Sequence, residues 1–226
     1  GNGSITGYQW FFNNALIAGA TGSTLNTTAT GVGTYKVAIT YTDGQGYAAT
    51  VSSAEQAVRD LTPPTLKGIQ VKGKTVLLSF SEAVSALSVP ASAFAVSTLT
   101  SAQAVTQRSI ASVVLAASDP STVILTLAGS APDGNLNLLV SYRDPDGDQA
   151  SAVVQDGAGN DLASFQNRAA DCYIASGTTT LASQYRTLLL TGSGAINGTG
   201  NALANMITGN AGLNILDGAA GADTLV

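Results

Sequence analysis

Aspartate is the residue type through which this chain could carry out chemistry, and six of its twelve aspartates lie between residues 144 and 171. Most of them fall in the segments RDPDGDQ and QDGAGND, where glycine and proline favour turns. Short oxygen ligands in turns suit Ca²⁺, which takes about six to eight oxygens, better than Mg²⁺ or transition metals. We therefore predict at least one Ca²⁺ at this cluster or at the linker beside Asp60. The predicted ligands are Asp144, Asp146, Asp148, Asp156, Asp161 and Asp60.

An alternative interpretation of this aspartate cluster stays open. The segment DPDGDQ is not an EF-hand loop, because its glycine comes too early and no glutamate follows at the twelfth position. On this interpretation the aspartates are solvated turn residues that keep a hydroxyl-rich surface soluble.

The composition excludes most familiar kinds of catalysis. The chain has no histidine, so it cannot build a Ser-His-Asp triad, a Cys-His pair or a zinc site with imidazole ligands. Paired carboxylates such as Glu82 and Asp133 could in principle hydrolyse a glycoside. However, Trp10 is the only tryptophan, and nothing in the sequence supplies an aromatic sugar-binding cleft. We therefore predict that the chain is not an enzyme.

Charge and hydropathy narrow the range of partners. The formal net charge of −5 is opposite to the cationic surface that binding to nucleic acid requires, so we expect no nucleic-acid partner. The longest notable aliphatic run, Leu188 to Leu190, is far shorter than the roughly 20 apolar residues of a membrane span. We expect the lone Cys172, which has no partner for an intramolecular disulfide, to be a small buried residue.

Apolar and polar residues alternate with a period of two in several segments, which is typical of half-buried β-strands. Turn signals such as Asp-Gly and Pro-Asp-Gly separate these segments, and no amphipathic helix is evident. The pattern predicts an all-β fold built from β-sandwich modules. The predicted strands are residues 33–42, 75–81, 122–127 and 136–142.

Composition also marks the domain boundaries. The segment RDLTPP at residues 59–64 carries two consecutive prolines, which stop a strand and stiffen a linker. After Asn167 the strand pattern gives way to a tract rich in glycine, asparagine and alanine. We therefore expect a first module at 1–59, a second at 60–168, lead-in strands at 169–199 and nonapeptide repeats at 200–226.

The end of this tract repeats every nine residues, as GNALANMIT, GNAGLNILD and GAAGADTLV. Each repeat begins with glycine and carries Ile207, Leu216 or Leu225 at its eighth position. Small residues with one inward aliphatic per repeat favour a parallel β-roll of tight turns and very short strands.

This tail resembles the repeats-in-toxin nonapeptide G-G-x-G-x-D-x-U-x, where U is a large aliphatic residue. The resemblance covers the last 27 residues and a lead-in at 180–199. It implies Ca²⁺ between turns two repeats apart, here between Asp223 and Asn205 with the carbonyls of Gly218 and Gly221. Only the last repeat keeps the aspartate, so we expect an empty or loosely occupied site. Coils that hold no metal are the alternative.

Two further resemblances concern the modules before the tail. Residues 60–168 resemble a bacterial surface repeat found in a cyanobacterial cell-surface motility protein and in very large secreted adhesins, through DLTPPTLKGIQVKGKTVLLSFSEAV, TVILTLAGSAPDGNLNLLVSYRDPDGD and VVQDGAGNDLASF. Residues 1–58 resemble a bacterial immunoglobulin-like module, expected here to be N-terminally truncated, through YQWFFNNALIAGATGSTL and GVGTYKVAITYTDGQGYAATVSS. Both resemblances imply β-sandwiches on the bacterial cell surface.

Together these observations predict a non-catalytic, calcium-binding segment of a bacterial surface adhesin or surface-layer protein exported by type I secretion. The modules would act as spacers or present a ligand-binding surface, and neighbouring repeats of the same long chain would be their partners. A host or cell-surface glycan or peptide is the expected type of ligand. The alternatives are an accessory region of a secreted hydrolase and a carbohydrate- or peptide-binding module.

Overall fold

Short turns and alternating apolar residues produce a chain made almost entirely of strands. The computed structural model describes residues 3–29, 31–85, 88–100, 104–134, 136–144 and 152–226. Within these ranges the helical segments are two single 3-10 turns, Thr27–Ala29 and Ala91–Ala93, so the predicted all-β fold is confirmed. The described residues contain no helix that is long and apolar enough to span a bilayer. The chain divides into two units, Gly1–Leu61 and Thr62–Val226.

The first unit is a single antiparallel sheet. Its central strand β3 pairs with β1 along one edge, and β4 and β5 share the other edge. The two-residue β2 extends the sheet beyond β1. The strands of this unit are β1 (Ser4–Phe12), β2 (Ala15–Leu16), β3 (Gly33–Thr42), β4 (Ala48–Ser52) and β5 (Gln56–Val58).

The alternation in β3 gives the first unit one apolar face. Tyr35 is buried, and its ring centroid lies 5.1 Å from that of Phe12, which is its partner across the ladder. Trp10 pairs with Val37 on the same face, and its indole nitrogen donates a hydrogen bond of 2.9 Å to the carbonyl of Gly22. A half-buried tryptophan with a bonded N–H is a packing residue of this sheet.

The described residues of the second unit form a four-stranded antiparallel sheet, an eight-stranded mixed sheet, a two-stranded antiparallel sheet and a three-stranded parallel sheet. Its antiparallel strands are β6 (Leu66–Lys72), β7 (Thr75–Phe80), β8 (Val84–Ser85), β9 (Phe94–Leu99), β10 (Val105–Arg108), β11 (Ile110–Ala116), β12 (Asp119–Leu127), β13 (Asn137–Tyr142), β14 (Gln155–Asp156) and β15 (Phe165–Ala169). Its later strands are β16 (Cys172–Ala175), β17 (Thr179–Thr180), β18 (Thr187–Leu190), β19 (Gly198–Thr199), β20 (Met206–Thr208), β21 (Leu216–Asp217) and β22 (Thr224–Leu225).

The antiparallel part of the second unit is a sandwich with one shared core. One sheet has the order β10-β9-β13-β15, and the other contains the neighbours β11-β12-β7-β6. Inward side chains of both sheets belong to the same buried cluster. Most of the apolar residues expected to point inward in three strands are completely or nearly completely buried: Val76, Leu78 and Phe80, Val123, Leu125 and Leu127, and Leu138, Val140 and Tyr142. Leu136, which was expected to join them, is only half-buried, because the strand begins at Asn137. Period-two alternation therefore positions this core correctly.

The chain after residue 171 forms a parallel β-roll that grows from the edge of the sandwich. Strand β16 pairs in parallel with β6, and β18, β20 and β22 follow in the same eight-stranded sheet. The intervening strands β17, β19 and β21 form a second parallel sheet. Leu188, Leu190 and Ile207 point between the two sheets and are buried in the core of the sandwich cluster. The roll thus shares its hydrophobic core with the sandwich.

Successive coils of the roll lie so close together that glycine is required between them. A Cβ atom added to Gly212 would lie 2.3 Å from the carbonyl oxygen of Gly194, and one added to Gly221 would lie 2.4 Å from that of Leu203. Gly221 also has a φ of 135°, which disfavours other residues. Both contacts join residues 18 positions apart, as does the pairing of Met206 with Thr224. Two nonapeptides therefore make one full coil.

We predict that the thiol of the lone cysteine, Cys172, reacts slowly in the folded protein. Burial, with a smaller contribution from the charge of Asp171, raises the pKa of the Cys172 thiol to about 11. Since the thiolate is the reactive form, native Cys172 at pH 8 should react with a disulfide reagent at least about 100-fold more slowly than in urea-unfolded chain, where its pKa is about 8.5. Stopped-flow absorbance measures both rates. Cys172 is half-buried, so it is less enclosed than the sequence predicts, and native and unfolded rates within a few-fold of each other would contradict the raised pKa.

Candidate metal centre

Three carboxylates from separate parts of the sequence form one acidic group. Glu82 lies in the bend that follows β7, and Asp156 ends the two-residue strand β14, which pairs with β8. Asp60 lies in the segment that leads into β6. One carboxylate oxygen from each of these residues lies within 4.8 Å of the other two. Among the described residues, this carboxylate trio (Asp60, Glu82 and Asp156) is the group of acidic side chains that could hold a metal ion.

Hydrogen bonds hold the bend and the lead-in segment side by side. The amide of Thr65 donates to Ser81 Oγ at 2.9 Å, and the amide of Ser81 donates back to the carbonyl of Thr65 at 2.9 Å. The ladder then continues from Leu66, which pairs with Phe80. These reciprocal bonds fix the backbone on which Glu82 stands.

Asp156 is the most enclosed member of the trio, with 4% of its surface exposed. Its Oδ1 accepts hydrogen bonds from the amides of Ala158 and Asn160 at 2.8 and 2.9 Å, and its Oδ2 accepts one from Asn160 Nδ2 at 2.7 Å. Burial, the largest influence, raises the pKa of Asp156, but the bonds from Asn160 and Ala158 outweigh it and the pKa is lowered. The carboxylate is therefore charged at neutral pH and held in a fixed orientation.

The donor set of the trio fits calcium. All three ligands are carboxylates, Asp60 and Glu82 remain partly open to solvent, and no nitrogen or sulfur donor stands among them. Two like charges about 4 Å apart repel by about 1 kcal/mol in bulk water and about 4 kcal/mol at an effective dielectric of 20. A divalent cation removes this repulsion, and water or carbonyl oxygens complete a coordination shell of Ca²⁺ type.

The structure separates the other predicted aspartate ligands from this trio. Asp144 follows β13, and Asp161 forms a bridge with Gln155. Both carboxylates lie near Tyr142, whose hydroxyl accepts a 3.0 Å hydrogen bond from the amide of Val154. Burial, and then the charges of Asp144 and Asp161, raise the pKa of Tyr142. Asp146 and Asp148 lie outside the described residues.

The predicted ligands in the tail do come together across one coil. Asp223 Oδ1 accepts a 2.9 Å hydrogen bond from the amide of Asn205, which lies 18 residues earlier. Gly218 packs beside Gly200, where an added Cβ would lie 2.5 Å from the Gly218 carbonyl oxygen. Gly221 packs on Leu203 in the same way. Asp223 is the one carboxylate among these predicted ligands, and a single carboxylate is a poor setting for a hard cation.

Glu82 is the residue of the trio that sequence reasoning missed as a metal ligand. It was considered only as a formal partner in glycoside hydrolysis. One feature of the sequence could have indicated it. Glu82 follows the buried strand that ends at Phe80, and a carboxylate at such a position lies at the edge of the core. Its spatial partner Asp156 lies 74 residues further along the chain, so no local spacing links the two.

A shallow groove lies elsewhere in the second unit. It has a volume of about 500 Å³ and lies where β13 meets the start of β15. Its lining includes Ser92, Phe94, Arg143, Phe165 and Gln166. Polar side chains around aromatic rings give this groove the chemistry to hold a small polar ligand.

Comparison with known proteins gives one family match within the chain. Residues 59–147 match the SWM repeat family, described as a "Putative flagellar system-associated repeat". The match overlaps the region assigned from sequence to a bacterial surface repeat, and it includes Asp60 and Glu82. No curated protein matches the chain.

Two solved structures show distant similarity. The N-terminal part of the bacterial S-layer protein SbsC is 19% identical over 47% of this chain, with a TM-score of 0.36. The Bacteroides ovatus mixed-linkage glucan utilization locus protein SGBP-B, solved with a mixed-linkage heptasaccharide, is 18% identical over 76% of this chain, with a TM-score of 0.21. The matches span 23% and 40% of the lengths of those proteins.

Proposed function

We propose that this chain is a non-catalytic, calcium-binding segment of a bacterial cell-surface protein, in which its modules act as spacers or present a ligand-binding surface. The observation that carries the proposal is the carboxylate trio, whose oxygens lie within 4.8 Å of one another. The bound ion is a structural one. It would hold the bend of Glu82 to the short strand of Asp156.

Calcium is preferred to other metals because of the ligands and their supports. The trio offers only oxygen, which disfavours transition metals. Its members come from a linker, a bend and a two-residue strand, and such irregular supports suit the flexible coordination of Ca²⁺ better than the strict octahedron of Mg²⁺.

Placement on the cell surface rests on the repeat character of the chain. The SWM repeat match falls on residues 59–147, and the nonapeptides at 200–226 resemble those of repeats-in-toxin proteins. We propose extracellular localisation, export by type I secretion and neighbouring repeats of the same chain as partners.

Two alternatives belong to other functional classes. The chain could be the accessory region of a secreted hydrolase, or a carbohydrate- or peptide-binding module that uses the groove beside Phe165. A calcium site in the trio is compatible with both alternatives, because a structural ion does not set the function of the parent protein.

Isothermal titration of the full 226-residue chain tests the calcium proposal. We expect binding of Ca²⁺ that is at least about tenfold tighter than binding of Mg²⁺, because Mg²⁺ gives up its waters reluctantly. Glu82→Gln and Asp156→Asn should each weaken Ca²⁺ binding at least about tenfold, since each removes a charged ligand.

The chain supplies a matched control for this titration. Glu55, its only other glutamate, lies 3.9 Å from Lys36 in the first unit, so Glu55→Gln should leave Ca²⁺ binding unchanged. Asp144→Asn and Asp161→Asn should also leave it unchanged. Binding that survives Glu82→Gln but is lost in Asp144→Asn would refute the trio as the calcium site.

A further inference from the structure

The turns of the roll are closed by asparagine side chains at the positions where calcium-binding nonapeptides carry their ligands. Asparagine occupies the second and sixth positions of the first two repeats, as Asn201 with Asn205 and Asn210 with Asn214. Each pair forms what we call an asparagine clamp. The side-chain oxygen of the sixth residue accepts the amide N–H of the second, at 2.7 Å for Asn205 and 2.9 Å for Asn214.

The amide nitrogens of the clamps bond to the preceding coil. Asn205 Nδ2 donates to the carbonyl of Tyr185 at 3.2 Å and to Asn201 Oδ1 at 3.2 Å. Asn214 Nδ2 donates in the equivalent way to the carbonyl of Ile196 at 2.6 Å and to Asn210 Oδ1 at 2.8 Å. Both side-chain protons and the side-chain oxygen of each sixth-position residue are therefore used.

The second-position asparagines add their own bonds between coils. Asn201 Nδ2 donates to the carbonyls of Ala182 and Tyr185 at 2.6 and 2.8 Å. Asn210 Nδ2 donates to the carbonyl of Gly194 at 2.9 Å. In the clamp-free third repeat, Asp223 instead accepts the amide of Asn205. In every turn of the tail, hydrogen bonds thus take the place of a bound cation.

These contacts do not fit a bound Ca²⁺. A cation between two coils needs oxygens directed at it and carboxylates to offset its charge. Here the enclosed Asn205, which is 3% exposed, presents two N–H groups and a backbone N–H to its surroundings, and the backbone N–H donates to Asp223. A metal would have to displace hydrogen bonds that already satisfy these buried groups.

We propose that residues 172–226 fold without calcium, and that the asparagine clamps replace the metal ions implied by the resemblance to repeats-in-toxin nonapeptides. Calcium would then act on the sandwich, at the carboxylate trio, and not on the roll. The clamps join coils through neutral hydrogen bonds, so the stability of the roll should depend little on either calcium or ionic strength.

Amide hydrogen exchange measured by mass spectrometry tests this proposal on peptides from residues 200–226. The full chain is compared with and without Ca²⁺, both as wild type and as the Glu82→Gln, Asp156→Asn double variant, in which the trio is disabled. We expect exchange in these peptides to change less than about twofold on addition of Ca²⁺ in either protein. Exchange that slows about tenfold or more with Ca²⁺ in the double variant would overturn the proposal.

Two substitutions test the clamps directly. Asn205→Ala should speed exchange in these peptides at least about tenfold, because it leaves the Asn201 amide without its partner and removes one of the two donors to the Tyr185 carbonyl. The exposed Thr224→Ala should change it little. Asn205→Asp places a second carboxylate beside Asp223. Amide exchange in the tail peptides of this variant should therefore be fast without Ca²⁺ and slower with Ca²⁺. If amide exchange in these peptides were as slow in Asn205→Ala as in the wild type, a role for the clamp would be refuted.

Discussion

Saturation with calcium is expected to raise the free energy of unfolding of the second unit by about 2.7 kcal/mol when free Ca²⁺ is 100 times its dissociation constant. The reason is linkage: the carboxylate trio exists only in the folded chain, so the ion binds only that state. For a unit of this size the gain corresponds to about 5 to 10 °C in Tm. Glu82→Gln should remove most of the gain.

The distribution of aromatic residues lets one experiment separate the two units. The only tryptophan, Trp10, lies in the first unit, whereas Tyr142, Tyr173 and Tyr185 lie in the second. Thermal unfolding is followed by Trp10 fluorescence and by far-ultraviolet circular dichroism, with chelator or with Ca²⁺. The calcium shift should appear in the dichroism, while the fluorescence of Trp10 separately records the transition of the first unit. A shift of equal size in Glu82→Gln would contradict the assignment of the site.

Truncation of Ile207 to alanine is expected to cost about 2 to 5 kcal/mol of stability. Ile207 is completely buried between the two sheets of the roll, and its strand pairs with β18 on one side and with β22 on the other. Removal of its side chain leaves a cavity that closely spaced coils cannot close. Urea unfolding followed by circular dichroism measures the loss.

The neighbouring residue provides the control for this cavity. Met206 precedes Ile207 on the same strand but points outward and is 51% exposed, so Met206→Ala should change stability by less than about 0.5 kcal/mol. Equal effects of the two substitutions would mean that the strand is shifted by one residue from the register described here.

The sandwich core could be predicted from sequence because a period of two in the sequence directly specifies two faces of a strand. Val76, Leu78 and Phe80 are buried as that period requires. The nonapeptide period likewise predicts that the turn at Asp223 faces the one at Asn205, and these two residues are hydrogen-bonded. In both cases the information is local or strictly periodic.

What could not be predicted depends on contacts between distant segments. Asp60 and Asp156 were proposed as separate candidates, and nothing in their spacing shows that they meet at Glu82. The pairing of β6 with β16 brings residues such as Gln70 and Cys172 together across about a hundred positions. Such pairings follow from the packing of whole sheets, which no short pattern encodes.

The junction between β6 and the roll also bears on the solubility of the sandwich. Without β16, the seven-residue strand β6 would end the sheet and expose a row of unpaired backbone groups, which is a template for aggregation. The roll covers that row and ends the same sheet with β22, a strand of two residues. By covering β6 with β16, the roll therefore protects that edge of the sandwich from edge-to-edge association, even with no metal in its turns.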